Sequence, residues 1–379
     1  MYFYENKNFA LMIIQNPTYN FLPNVKQILF LTFITLLIFL FGNRDGMSQN
    51  IAGNNPVNAR IAFYNVENLF DVYDDSLARD EEFTPEGPRH WNNNKFYKKI
   101  NNTYKVIMAL GESGPPVIVG LCEIENRFVL EKLVYDTPLK NFNYRIIQFE
   151  SPDRRGIDVA LLYRANLFEP LFSEAVPVLF PFDTASRTRD ILHVKGVLLN
   201  TDTVHIFVNH WPSRYGGYLP TVPKRNYAAQ VLKAKTDSIL SINENAAILI
   251  MGDFNDGPQD ESISEILSAK DPAGPISKSE MYNLMLTKQE GWPYGSLKYQ
   301  QGWNRFDQLI VTGSLLDGYS SPQVSKQGAI IYHAPFLLET DKTHLGQKPK
   351  RTYVGFKYNG GFSDHLPVYV DINVNRRKP

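Results

Sequence analysis

The stretch Ile248-Leu249-Ile250-Met251-Gly252-Asp253-Phe254-Asn255-Asp256 decides how the rest of the chain is interpreted. Four apolar residues that end in a glycine predict a buried strand followed by a sharp turn. The carboxylate of Asp253 and the amide of Asn255 then stand at the mouth of a sheet, where α/β folds place their sites. This pair suits a phosphate and its hard cation, although an Asx turn after a structural strand would use the same residue types.

The composition of the chain indicates a globular protein and excludes several classes. Hydrophobic residues make up 43% of the 379 residues, and Lys plus Arg equals Asp plus Glu at 39 each. A net charge of zero does not indicate a strongly basic nucleic-acid-binding face, although it does not exclude a local patch. The single cysteine, Cys122, excludes an internal disulfide and a cysteine-rich metal site, and its apolar neighbours favour a buried thiol.

The amino-terminal residues predict a leader that precedes the fold. The uncharged run 28–41 follows Lys26 and is too short for a membrane span of ~20 residues, but it fits the core of a signal peptide. Gly46-Met47-Ser48 then offers small residues for cleavage. We therefore expect residues 1–48 to be a leader that directs the protein to the periplasm or the exterior. A retained membrane anchor is the alternative.

The hydrophobic periodicity after residue 58 predicts one domain, residues 58–375, in which strands outnumber helices. Two packed sheets with helices on their outer faces fit this count. The segments 270–303 and 313–360 are expected to be mainly irregular. The predicted strands are 60–64, 117–121, 143–149, 158–163, 192–199, 204–208, 248–251, 306–311 and 366–374, and the predicted helices are 96–108, 128–134, 223–240 and a short one near 262–269.

Polar side chains stand at the ends of many of these strands. Oxygen ligands dominate the set, which favours Mg²⁺, Mn²⁺ or Ca²⁺ over a structural zinc. Hydrolysis of a phosphodiester also needs a base that orients water and cations that offset the developing charge, which two histidines beside acids can supply. The set consists of Asn65, Glu67, Glu123, Asp158, Asn209, His210, Asp253, Asn255, Asp307, Asp364 and His365.

Taken together, the motifs at these strand ends resemble the endonuclease/exonuclease/phosphatase superfamily. This superfamily includes pancreatic-type deoxyribonucleases, abasic-site endonucleases, neutral sphingomyelinases and inositol polyphosphate phosphatases. The resemblance spans residues 60–373 and implies a four-layer α/β sandwich, in which two packed mixed β-sheets are flanked by helices. The motifs are Asn65-Val66-Glu67-Asn68, Glu123, Asn209-His210-Trp211-Pro212-Ser213-Arg214, Gly252-Asp253-Phe254-Asn255, Trp303-Asn304-Arg305-Phe306-Asp307 and Ser363-Asp364-His365.

The resemblance also implies a metal site that binds Mg²⁺, or Mn²⁺ or Ca²⁺ in its place. Glu123 is similar to the principal metal ligand of the family, with Asn65 and Glu67 in support. Asp364 resembles a further carboxylate of the metal site.

The remaining residues match the family's catalytic positions. Asp253 and Asn255 resemble the pair that positions the attacking water and the phosphate. His365, oriented by Asp307, is similar to the histidine that contacts the scissile phosphate.

His210 resembles the histidine that assists the leaving group in the deoxyribonuclease and sphingomyelinase branches. Asp158 stands where the carboxylate partner of His210 would be expected. Abasic-site endonucleases carry Tyr and Asn in this region, so His210 argues against that branch.

We therefore expect a divalent-metal-dependent phosphodiester hydrolase, foremost an endonuclease that acts on nucleic acid. A phosphatase or a sphingomyelinase-like phospholipase that acts on lipid or inositol phosphates is the alternative. A catalytically silent binding module on the same scaffold is a third, which the complete polar set argues against. The sequence indicates no stable protein partner, and we expect a monomer. Arg214 either binds phosphate or lies in a surface loop, and Trp211, Trp292 and Trp303 either stack on bases or pack in the interior.

Overall fold

The computed structural model describes residues 57–374, except residues 113, 288, 290, 293 and 320. The predicted leader, residues 1–48, lies outside the described residues and stays a prediction. Within the described ranges, every helix is too short or too polar to cross a lipid bilayer.

Strands outnumber helices in the described residues, as the sequence predicts. The α-helices are α1 (Asn93–Ala109), α2 (Arg127–Tyr135) and α3 (Tyr218–Ile242). The strands are β1 (Val57–Leu69), β2 (Ile118–Ile124), β3 (Tyr144–Gln148), β4 (Asp158–Arg164), β5 (Phe168–Val176), β6 (Ile191–Leu198), β7 (Asp202–His210), β8 (Ala247–Asp253), β9 (Met281–Asn283), β10 (Leu297–Tyr299), β11 (Gly302–Asn304), β12 (Asp307–Thr312), β13 (Gln323–Ile331), β14 (Leu338–Thr340), β15 (Gln347–Pro349), β16 (Tyr353–Val354), β17 (Lys357–Tyr358) and β18 (Val368–Val374).

Twelve of these strands form two six-stranded mixed sheets. The first sheet has the order β13-β18-β1-β2-β4-β3, and the second has the order β5-β6-β7-β8-β12-β9. One pair in each sheet is parallel, β1 with β2 and β7 with β8. All the other neighbours are antiparallel. The remaining strands form the hairpins β10–β11, β14–β15 and β16–β17.

The two sheets pack face to face and bury a shared apolar core, which confirms the predicted four-layer sandwich. Apolar side chains of both inner faces belong to one cluster, which also includes residues of α1 and α2. A second cluster joins the outer face of the second sheet to α3 through Phe207, Ile248, Ala229 and Leu232. Cys122 lies in the first cluster as a buried free thiol, as its neighbours predict.

The first two helices lie where their periodicity places them, and each begins at an asparagine cap. The side chain of Asn92 accepts a hydrogen bond from the backbone N–H of Lys95, and that of Asn126 accepts one from Val129. The third helix begins at Tyr218, before its predicted start at Pro223, which lies inside the helix. Pro223 is the sixth residue of α3, so it removes the one intrahelical hydrogen bond that an N–H there would donate to the carbonyl of Leu219.

Other differences from the predicted elements have local causes. The edge strand β5 has no clear alternation of buried and exposed residues and contains Pro170, so its sequence lacks the usual strand signal. The segment 313–360 contains β13 to β17, which the sequence does not predict, although most of its residues lie outside these strands. The predicted short helix near 262–269 is a π-helical turn at Ser262–Ile266.

We predict that Gly252→Ala destabilises the fold. A Cβ atom at this position would lie 2.5 Å from the backbone oxygen of Asn209 and 2.6 Å from its Cβ, so β7 and β8 would have to separate. The free energy of unfolding in urea should fall by about 1–3 kcal/mol, the usual cost of overpacking. Gly302→Ala is the matched control, because its Cβ would meet only Tyr299 O at 3.6 Å. Equal stability of the two variants would contradict the close approach.

Candidate active site

Three of the predicted site residues lie side by side on adjacent strands of the second sheet. His210 on β7 is in register with Asp253 on β8, and Asp253 is in register with Asp307 on β12. The row forms because the carboxyl ends of two parallel strands meet the amino end of an antiparallel one. All three side chains are buried, so the sheet itself fixes their spacing.

The first sheet contributes residues that leave the hydrogen-bonding ladder at two bulges. The β1–β2 register shifts between Asn65 and Leu69, and the β2–β4 register skips Glu123. Glu67, Asn68 and Glu123 have φ angles of 53°, 56° and 60°, a region that glutamate seldom occupies. The bulges bring neighbouring strand ends together, since the backbone N–H of Asn68 donates to Glu123 Oε2 at 2.9 Å.

The buried amide of Asn65 joins the two sheets at the centre of the site. Its Nδ2 donates to Asp253 Oδ2 at 3.0 Å and to Glu123 Oε1 at 3.4 Å. His210 Nε2 lies 3.8 Å from the same Asp253 oxygen and 3.9 Å from the same Glu123 oxygen, too far for a direct hydrogen bond. Its Nδ1 is buried and has no hydrogen-bond partner among the described residues. Burial lowers the pKa of His210 well below its usual value, so the ring is neutral at pH 7.

His365 is held in the opposite charge state by Asp307. Its Nδ1 lies 2.7 Å from Asp307 Oδ2, which also accepts from Ser296 Oγ at 2.5 Å. Burial alone would lower the pKa of His365, but the carboxylates of Asp307 and Asp253 and the hydrogen bond to Asp307 raise it well above its usual value. Burial also raises the pKa of Asp253 to about 6. The site thus places a cationic imidazole opposite a neutral one.

The donor set of this site fits a hard divalent cation. One ligand atom from each of Asp253, Asp307 and His365 lies within 4.8 Å of the others, so this group could hold a metal ion. Glu123 lies beside it and shares the amide of Asn65 with Asp253. His365 Nδ1 is already committed to Asp307, and Asn65 Oδ1 accepts from the backbone N–H of Glu67, so the carboxylate oxygens of Glu123 and Asp253 are the better donors for such an ion.

The other two predicted metal ligands, Glu67 and Asp364, share an arginine that the sequence analysis missed. Arg351 Nε donates to Glu67 Oε1 at 3.0 Å, and Arg351 Nη2 lies 2.9 Å from Asp364 Oδ2. The second oxygen of Glu67 accepts from the backbone N–H of Thr352 at 2.6 Å. Burial raises the pKa of Glu67, while Arg351 helps to keep that of Asp364 below its usual value despite burial. Both carboxylates therefore already have a cationic partner.

A buried lysine supports the same corner of the site. Lys99 on α1 donates from Nζ to Thr352 Oγ1 and to the backbone oxygen of Phe362, both at 2.6 Å. Burial lowers its pKa to about 8, against the opposing effect of nearby carboxylates, Glu67 foremost. Neither Lys99 nor Arg351 follows a predicted strand, so no strand-end signal marked them. A charged residue on the apolar face of a predicted helix was the available hint for Lys99.

The turn after β8 is both an Asx turn and part of the site. Asp253 Oδ1 accepts from the backbone N–H of Asn255 at 3.0 Å, and Asn255 Nδ2 donates to Trp211 O at 3.0 Å. Arg214 has a structural role here, because its guanidinium bonds to Asn255 O and to the carboxylates of Asp256 and Asp260.

The tryptophans, which the sequence assigns either to base stacking or to the interior, mainly pack in the interior. Trp211 and Trp292 are buried, and Trp211 packs edge-on against Phe254 with ring centroids 4.7 Å apart. Trp303 is partly buried and contacts Trp292, with ring centroids 5.2 Å apart.

The expected pairing of Asp158 with His210 does not occur. Asp158 Oδ2 accepts from Gln148 Nε2 at 2.7 Å, and its Oδ1 accepts from the backbone N–H of Ser151 at 2.9 Å. These contacts hold the loop that joins β3 to β4, because Asp158 begins β4 and Gln148 ends β3. The sequence places Asp158 near the site, but its hydrogen bonds are those of a hairpin.

We predict that Asp158→Asn changes the pH dependence of stability rather than catalysis. Burial raises the pKa of Asp158 to about 7, so the folded state binds this proton more tightly than the unfolded chain does. Its contribution to stability is then complete below about pH 4 and is lost as the pH rises to about 7, with up to ~4 kcal/mol at stake. The variant should lose less free energy of unfolding between pH 5 and pH 8 than the wild type, with turnover retained. A more than hundredfold loss of turnover in folded protein would restore a catalytic role.

Comparisons with known proteins agree with this geometry. Residues 60–374 match the model of the Endonuclease/Exonuclease/phosphatase family. No curated protein matches the chain. The fold resembles that of an endonuclease/exonuclease/phosphatase family protein from Bacteroides thetaiotaomicron, with 14% identity, 85% of this chain and 100% of that chain covered, and a TM-score of 0.53.

Two further solved structures share the fold and are described with different activities. A mannosyl-6-phosphatase from Bacteroides thetaiotaomicron has 14% identity over 83% of this chain and 99% of that chain, with a TM-score of 0.53. TDP2 from D. rerio, complexed with a single strand DNA product, has 14% identity over 84% of this chain and 99% of that chain, with a TM-score of 0.50. The chain therefore belongs to the endonuclease/exonuclease/phosphatase family, whose members are phosphoric ester hydrolases that typically depend on a metal.

Proposed function

We propose that the protein is a divalent-metal-dependent phosphodiester hydrolase of the periplasm or the exterior, and foremost an endonuclease. The observation that carries this proposal is the amide of Asn65, which holds Glu123 and Asp253 together between His210 and His365. Two carboxylates beside a neutral and a cationic imidazole supply what in-line attack on a phosphodiester needs. The predicted leader supports export.

The metal site of this proposal is centred on Glu123, beside the side-chain amide of Asn65. Mg²⁺, or Mn²⁺ or Ca²⁺ in its place, would polarise a phosphoryl oxygen and offset the charge that develops on it. Glu67 and Asp364 would add negative charge near the ion without binding it directly, since Arg351 already bonds to both.

The protein's own residues position the attacking water, the scissile phosphate and the leaving oxygen. Asp253 orients the attacking water, and its own carboxylate is fixed by Asn65 and by the backbone N–H of Asn255. His365 donates a hydrogen bond to the scissile phosphate from Nε2, because Asp307 holds its Nδ1. His210 is neutral, so with its proton on Nε2 it donates a hydrogen bond that stabilises the leaving oxygen and keeps its own proton. The sheet row that contains His210, Asp253 and Asp307 keeps these groups in fixed relation.

A phosphatase or a sphingomyelinase-like phospholipase is the second candidate function. The mannosyl-6-phosphatase shares the fold, as does TDP2 with its DNA product, so the scaffold alone does not choose between them. Plasmid DNA, RNA, sphingomyelin and inositol phosphates, each incubated with the protein and Mg²⁺, separate the candidates. Nicking of plasmid DNA that EDTA abolishes and added Mg²⁺ restores supports the endonuclease. Phosphate release from inositol phosphates without DNA cleavage would replace it with the second candidate.

We predict that Glu123→Gln abolishes turnover while the fold survives. The amide keeps the shape of the side chain but loses the charge that attracts the cation. Titration calorimetry with Mn²⁺ should show weaker binding in the variant, at an unchanged melting temperature. Glu131→Gln on the exposed face of α2 is the matched control and should bind and turn over like the wild type. Wild-type activity of Glu123→Gln at limiting Mg²⁺ would remove Glu123 from the metal site.

We predict that His210→Ala and His365→Ala each reduce turnover by roughly 10²–10⁴, the usual range for a lost acid–base group. The double variant should lose less than the product of the two, because both residues act on one transition state. Asp307→Asn should reproduce part of the His365 loss, since it weakens the group that orients and charges that ring.

His193→Ala is the control for a structural histidine. Its ring lies 2.8 Å from Glu174 and 3.0 Å from His205 and stacks on Phe207, so its loss should lower the melting temperature and leave turnover per folded molecule intact. Full activity of His210→Ala on every substrate that the protein cleaves would contradict the role of His210.

A further inference from the structure

A pocket of about 450 Å³ adjoins the backbone of His210 through Arg189, one of its lining residues. Arg189 forms the boundary between them. Its Nε donates to His210 O at 3.1 Å, and its Nη2 donates to Trp211 O at 2.6 Å. Pro212 and Ser213, the next residues of the chain, line the pocket. The pocket is therefore continuous with the backbone that positions His210.

Positive charge dominates the lining of this pocket. Arg155, Arg187, Arg189 and Lys224 line it, and no carboxylate does so among the described residues. Two acids behind the lining offset part of this charge. Asp153 lies 2.9 Å from Arg189 and 3.6 Å from Arg155, and Asp183 lies 2.8 Å from Lys224. Four cations against two acids leave an excess of two positive charges.

Arg187 is the cation with the least compensation. Its guanidinium donates to the backbone oxygens of Thr184 and Ser186, and no ion pair joins it to a carboxylate within the described part of the chain. Its side chain is exposed, so it reaches solvent at the mouth of the pocket. Carbonyl groups hold this guanidinium in place but do not neutralise its positive charge. Its remaining N–H donors are therefore available to an anion.

A second observation distinguishes the pocket from an ordinary solvated basic surface. The hydroxyl of Thr188, a lining residue with 3% of its surface exposed, has no hydrogen-bond partner among the described residues. A buried hydroxyl that stays unpaired destabilises the fold. An acceptor oxygen in the pocket would remove that cost. The pocket is also concave, and the aromatic rings of Phe180 and Tyr215 contribute to its walls.

We propose that this pocket binds a second phosphate group of the same substrate whose scissile ester lies at His210. The proposal rests on the proposed function and narrows it to substrates that carry at least two phosphates a few bonds apart. The neighbouring phosphate of a nucleic-acid strand and the second phosphate of an inositol bisphosphate share this chemistry. Arg187 and Lys224 bind the second phosphate. Arg189 positions the protein backbone at His210 and Trp211, which lies between the two subsites.

Binding of inorganic pyrophosphate tests the pocket without any turnover. Titration calorimetry in the presence of EDTA compares the wild type with the double variant Arg187→Ala/Lys224→Ala. The affinity should fall roughly tenfold, as expected for the loss of two charge-assisted contacts. Lys233→Ala is the matched control, because Lys233 lies on the same helix, is paired with Asp237, and does not line the pocket. The melting temperature of each variant reports whether the fold is intact.

Kinetics then identify the source of the phosphate. Bis(p-nitrophenyl) phosphate carries one phosphate and serves as the reference substrate. The ratio of KM for a 5′-phosphorylated dinucleotide, or for an inositol bisphosphate, to KM for the reference should rise roughly tenfold in the double variant. A rise with the dinucleotide assigns the pocket to nucleic acid, and a rise with the inositol bisphosphate assigns it to that head group.

Two results would overturn the proposal. One is unchanged pyrophosphate affinity in a folded double variant, which would make the pocket a solvated surface. The other is an equal rise in KM for the reference and the two-phosphate substrates, which would mean that the cations act on the scissile phosphate itself. If no substrate is cleaved but pyrophosphate affinity falls as expected, the proposed function fails and the pocket remains an anion site.

Discussion

The structure depends on one buried amide at the joint between its two sheets. Asn65 belongs to β1, and its side chain bonds to Glu123 on β2 of the first sheet and to Asp253 on β8 of the second. An apolar residue there would leave two carboxylates facing each other in a buried setting, where like charges are costly. The amide is neutral, so it holds both without neutralising either. The negative charge that remains is what makes the site suited to a divalent cation.

Charge around this joint is balanced by cations on two sides. Arg351 and Lys99 face Glu67 and Asp364 at one corner, and His365 faces Asp307 and Asp253 at another. Lys99 and His365 are buried, and the low dielectric of the interior strengthens their interactions, provided that every member keeps its partner. His210 is the exception, since burial keeps it neutral. The arrangement therefore separates the charged groups that bind phosphate from the neutral group that donates a hydrogen bond to the leaving oxygen.

Much of this site follows from the sequence, because strand ends are easy to find. The apolar run before Gly252 predicts β8, and the polar residues at the ends of the predicted strands include Asn65, His210, Asp253 and Asp307. The sequence does not reveal which residues of neighbouring strands pair with each other. The row His210–Asp253–Asp307 depends on pairing between strands that are distant in the chain, and the bulge at Glu123 depends on its neighbours in the sheet. Arg351 comes from a segment whose short hairpins have too few residues for a periodic signal. Asp158 illustrates a different error. The sequence correctly places this carboxylate at the start of a strand, but its hydrogen bonds stabilise the β3–β4 hairpin.

The most direct test of the account is the position of the metal ion. Crystals of the protein equilibrated with Mn²⁺ and measured at the manganese absorption edge would reveal the ion by its anomalous scattering. The account predicts a peak within about 2.5 Å of a carboxylate oxygen of Glu123. A peak that contacts only Asp307 and His365, with Glu123 still bonded to Asn65 and to the backbone N–H of Asn68, would contradict it.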